Sequence, residues 1–89
     1  MIPEWKCLPV IPSRRAADEM IREKLMIHDV IEVLETGYDC ARSRRRENIV
    51  ERCVDVKNKI LKAVVARSYN YDMESEVWVI THVGRFTRR

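Results

Sequence analysis

The chain predicts an α+β domain in which two N-terminal helices pack on a curved, mostly antiparallel sheet of about four strands. Three observations carry that expectation. Apolar residues recur at helical spacing over residues 13–37, the pattern then switches to β-branched and aromatic runs, and short polar turns separate those runs. Helices followed by a succession of strands is the order expected of an antiparallel sheet with its helices on one face. At 89 residues the chain has room for one domain, spanning 1–89, and not for two.

The elements follow in order. "EWKCLPVIPS" starts apolar but carries Pro9 and Pro12, which have no N–H to give to a ladder, so residues 1–12 read as an edge strand or an arm. Ser13 stands at an N-cap position before "RRAADEMIREKL", where Ala16, Ala17, Met20, Ile21, Lys24 and Leu25 keep helical spacing. "MIHDVIEVLETG" continues with Ile27, Val30, Ile31 and Leu34 on one face, with a bend near residues 26–28. It ends at Gly37, a residue suited to a left-handed helix terminus, which closes a helical pair over 13–37.

Residues 38–84 then form the sheet from "NIVERCVDV", "KILKAVVARSYN" and "EVWVITHVG", with "VKNK" and "NYDMES" as turns. The last run is apolar at both odd and even positions, which places it inside the sheet rather than at an edge. Residues 85–89 read as a basic tail.

The 46% apolar and 35% charged composition fits a folded domain with a heavily charged surface. A net charge of +3 is too small by itself to imply a polyanionic partner, but the positive charge is regional. Arg42, Arg44, Arg45, Arg46 and Arg52 crowd one short stretch, and Arg85, Arg88 and Arg89 end the chain. No apolar run approaches the roughly 20 residues of a membrane span and no secretory leader pattern opens the chain, so a cytoplasmic location is expected. The absence of Gln beside abundant Arg, Lys and Glu suggests a heat-adapted source. Cys7, Cys40 and Cys53 fit neither a disulfide framework nor a metal knuckle and are expected to be free, buried thiols.

Several residues stand out for their chemistry. The arginine run presents planar forks that match phosphate oxygens, or else it is a solvated loop neutralised by Glu47 and Glu51. Arg14 and Arg15 oppose the positive end of the helix dipole, which hints at a function unless Asp18 and Glu19 compensate one turn on. His82 lies in an apolar strand, where an imidazole serves either as a general acid or base or as a hydrogen-bonded core residue. His28 is read as structural, and Trp5 and Trp78 as core. No spacing suits a metal site, no cofactor is implied, and two glycines are too few for a phosphate-binding nucleotide loop.

The order "SRRAADEM", "IREKLMIHDVIEVLETG", an Arg-rich strand, "KAVVARSY" and "WVITHVG" resembles a small domain-of-unknown-function family allied to the RelE and ParE type toxins, over residues 13–83. The resemblance implies a RelE-like fold and metal-independent cleavage of RNA. It implies that His82, Arg52 and Arg67 form the catalytic set and that Arg15, Arg42, Arg44, Arg45 and Arg46 hold the RNA backbone. An acidic antitoxin-like protein is the implied partner. Where the family shows a His before the helical Ala this chain has Arg15, and its late helical Arg is Lys24. That departure keeps a non-catalytic RNA-binding or protein-interaction domain in view as the alternative.

Overall fold

The computed structural model describes residues 2–40 and 48–87. Its elements run β1 (Glu4–Trp5), β2 (Leu8–Pro12), α1 (Arg14–Glu23), α2 (Ile27–Thr36), β3 (Tyr38–Asp39), β4 (Ile49–Val56), β5 (Lys59–Asn70) and β6 (Ser75–Thr87). The six strands form one sheet in the order β1-β2-β6-β5-β4-β3. All neighbours are antiparallel except β2 and β6, which run parallel with Val10 opposite Trp78 and Pro12 opposite Ile80. The sheet is therefore mixed and six-stranded, not mostly antiparallel with about four strands, and the helices lie between strands rather than ahead of them.

The prolines disguised the place of β2: the segment read as an edge strand or an arm is a strand, but β1 and β6 flank it. The prolines forfeit two donors, yet Val10 between them gives its N–H to the Pro3 carbonyl at 2.9 Å and is wholly buried. The parallel pairing follows from β2 and β6 being joined through everything that lies between them, a contact no local pattern can show. β6 lies between β2 and β5, inside the sheet as its two apolar faces require. It also runs on to Thr87, so Arg85 and Phe86 belong to a strand and not to a tail.

Ser13 caps α1 by accepting from the Ala16 N–H at 3.1 Å, and Lys24 ends the helix in a left-handed conformation (φ 57°). The break expected near residues 26–28 falls at residues 24–26, where Met26 N–H donates to Asp29 Oδ2 at 2.7 Å. Gly37 terminates α2 without entering the left-handed region, at φ −76° and ψ 172°. Its requirement is space. A Cβ there would run into the Val33 carbonyl and come within 2.8 Å of the Cys53 carbonyl.

Both helices cover the same side of the sheet. Ala16 and Met20 from α1 and Val30, Ile31, Val33 and Leu34 from α2 pack on Val10, Ala63, Val65, Trp78, Ile80 and Val83. Trp5 completes the core, its ring centroid 5.2 Å from that of Trp78. The cysteines depart from expectation. β3 and β4 run side by side and bring Cys40 and Cys53 to a Cα separation of 5.7 Å, where they form a disulfide, while Cys7 is free but exposed. Among the described residues no helix is long and apolar enough to cross a membrane.

Candidate active site at the α1–β6 edge

β2 stops opposite Ile80, and the chain turns directly into α1, with Ser13 N–H donating to the Ile80 carbonyl at 2.9 Å. Beyond that point β6 keeps β5 on one side and, among the described residues, has no strand on the other. The ladder is also interrupted there. Val64 faces His82 while Val65 faces Ile80, which leaves Thr81 as the extra residue of a bulge that re-aims the rest of the strand.

Glu19, one turn after Arg15 on α1, fills the gap. Its Oε1 accepts the Val83 N–H at 3.1 Å, both carboxylate oxygens lie 3.1 Å from His82 Nδ1, and Oε2 lies 3.5 Å from Arg15 Nε. The Glu19 side chain is 13% exposed and that of His82 35%, so the pair is shielded without being sealed. Burial pushes the Glu19 carboxyl up, but the Val83 N–H, the His82 ring and Arg15 together outweigh it and hold the group below the usual carboxylate range. An ionised carboxylate only accepts, so His82 Nδ1 carries a proton and donates it to Glu19.

Nε2 lies beside Gly84, 3.5 Å from where a Cβ would stand, with the Phe86 ring 3.7 Å from the same point. It makes no hydrogen bond to any described residue. A cleft of about 190 Å³ opens here, lined by Glu19, Arg22, His82, Gly84, Arg85 and Phe86 among others. Glu23 steadies Arg85 at 3.8 Å. Chemically, the arrangement is an oriented imidazole whose Nε2 faces a small pocket, with cationic side chains beside it and an exposed aromatic ring at its edge.

Of the residues expected to act together, Arg15 and His82 meet through Glu19. Arg52 and Arg67 do not join them. Arg52 donates from Nη1 to the Gly37 carbonyl at 3.1 Å and approaches Asp39 at 3.4 Å, fastening the end of α2 and β3 to β4. Arg67 is bound to Glu76 at 2.8 Å across the β5–β6 hairpin, opposite Trp78 in the ladder. Arg42, Arg44, Arg45 and Arg46 lie outside the described residues.

Sequence reasoning missed Glu19 as the organiser, together with Arg22, Arg85 and Phe86. A partial signal existed. Arg15, Glu19 and Arg22 follow helical spacing and His82, Gly84 and Phe86 follow strand alternation, but nothing local joins two sets separated by some sixty residues. Among the described residues no group of three His, Cys, Asp or Glu is placed to hold a metal ion.

Comparison with protein-family models finds no match for this chain, and searches of curated proteins and of solved structures likewise return none.

Proposed function

We propose that the protein is a metal-independent endoribonuclease of toxin type, and that Glu19 and His82 form its acid–base pair. The observation that carries this reading is the single imidazole held at Nδ1 by a carboxylate with Nε2 unengaged over a cleft flanked by arginines. In the reaction, Nε2 takes the proton of a ribose 2′-hydroxyl and the freed oxygen bonds to the adjacent phosphorus. The bond from phosphorus to the 5′-oxygen breaks, that oxygen gains a proton from water, and a 2′,3′-cyclic phosphate remains. Arg22 and Arg85 stand where they can offset charge on the phosphate oxygens, and Phe86 offers a face on which a base can stack. Arg52 and Arg67 do not line this cleft and are given no role in this reading.

The arginine run between Cys40 and Cys53 supplies the backbone-binding charge in this reading, and an acidic antitoxin-like protein is the expected inhibitor. The setting is cytoplasmic and heat-adapted, which is compatible with the Cys40–Cys53 bond because intracellular proteins of hyperthermophiles are often disulfide-rich. One observation favours a non-catalytic RNA-binding domain instead: Glu19 also satisfies the Val83 N–H, a structural duty that could account for its presence.

Incubation with a single-stranded RNA in excess chelator separates the two. The expected result is cleavage leaving cyclic-phosphate ends, slowed about 10²- to 10⁴-fold by His82→Ala with RNA affinity retained. Binding without cleavage would establish the binding domain. Affinity and salt slope unchanged by replacing Arg44, Arg45 and Arg46 with Ala would remove the basic run from either reading.

A further inference from the structure

The two ends of the β5–β6 hairpin are chemically complementary to each other. At one end, a groove of about 670 Å³ opens between α2, the turn joining α1 to α2, and the β4–β5 turn. Leu25, Val54, Val56 and Leu61 give it an apolar floor, and Val56 is 47% exposed. Its rim carries Lys24, Lys57, Lys59 and Arg85 against the carboxylates of Asp29 and Glu32. The three lysines form no ion pair among the described residues, and the Asp29 carboxylate is already engaged by the Met26 N–H.

The opposite end bears the reverse charge. Tyr69 and Tyr71 pack edge to face with centroids 5.0 Å apart, and Tyr71 is 84% exposed, an unusual state for a ring of that size. Asp72 and Glu74 flank them in the turn without an ion pair among the described residues, whereas the nearby Glu76 is already neutralised by Arg67. The twelve residues of β5 separate the two ends by roughly 36 Å at strand rise, so the tip cannot reach its own groove.

We propose that the protein self-associates head to tail, the acidic tyrosine tip of one copy seating in the basic apolar groove of the next. Tyrosine rings cover the apolar floor while Asp72 and Glu74 meet the lysine rim, whereas a nucleic acid strand would satisfy the rim and leave the floor wet. Because the two surfaces differ and lie at opposite ends, the contact is heterologous. It extends into rings or filaments rather than stopping at a two-fold dimer.

Sedimentation of the full chain at low salt, from about 10 µM to about 1 mM, tests this at the weak end of the affinity scale. The weight-average mass should rise more than twofold across that range and fall back as salt is raised. A tip variant, Asp72→Lys with Glu74→Lys, and a groove variant, Lys57→Glu with Lys59→Glu, should each remain monomeric. Their equimolar mixture should associate again, because each supplies the end that the other's unaltered surface fits. A parent that stays monomeric throughout, a mass that stops at a dimer, or a tip variant that associates like the parent would each overturn the proposal.

Discussion

Two stretches of β6, only a few residues apart, have opposite characters. Residues 78–80 lie between β5 and β2, hydrogen-bonded on both sides, and Trp78 and Ile80 are buried in the core. Residues 81–87 keep β5 but have lost β2, and there the strand carries His82, Gly84, Arg85 and Phe86. The difference shows how polar chemistry enters a sheet where a neighbouring strand runs out. The unpaired Val83 N–H needs an acceptor. A carboxylate arriving from α1 supplies one, and its charge then holds His82 and Arg15 around it.

Removing side chains from the two stretches should break them unequally. Ile80→Ala, at a fully buried position, should cost about 2–5 kcal/mol by urea unfolding, through lost contacts and the cavity left behind. Glu19→Ala should cost less, about 1–3 kcal/mol, because it strands the N–H of the buried Val83 but leaves the His82 ring, 35% exposed, able to turn to water. A loss for Glu19→Ala equal to that for Ile80→Ala would mean that the edge is as much core as the paired stretch.

The pH dependence sharpens the same contrast. The folded Glu19 carboxyl is held below its ordinary value of 4.5, so the native state binds that proton less readily than the unfolded chain. Its stabilisation is complete above the ordinary value and disappears as pH falls through the native one. The difference in melting temperature between the parent and Glu19→Gln should therefore narrow from pH 7 to about pH 3, whereas the Ile80→Ala deficit, which involves no titrating group, should not share that change. The smallest effect is expected at Gly84. A Cβ there meets its neighbours at ordinary contact distances of 3.5–3.7 Å, so Gly84→Ala should stay within about 0.5 kcal/mol of the parent.

The elements legible from local sequence and those that were not divide along similar lines. Ser13 as a cap, the helical face of Val30, Ile31 and Leu34, and the turns at "VKNK" and "NYDMES" are local signals, and each produced the element it announced. A strand over residues 1–12 was legible, but its interior place was obscured because Pro9 and Pro12 register as missing donors while the burial of Val10 depends on a strand far along the chain. Gly37 was read for its backbone freedom, although what it provides is clearance from the Val33 and Cys53 carbonyls. At the candidate site His82 and Arg15 were visible as chemically odd choices for their elements. Their organiser was not, because Glu19 on an exposed-looking helix face is indistinguishable from a solubilising residue until β6 is laid beside it.

The Cys40–Cys53 bond closes residues 40–53 into a covalent ring, and Arg42, Arg44, Arg45, Arg46 and Arg52 all belong to it. A bond between residues 13 apart in sequence restricts the unfolded chain far more than the folded one, where β3 and β4 already lie side by side. Opening it with a reductant should therefore lower the midpoint of thermal unfolding.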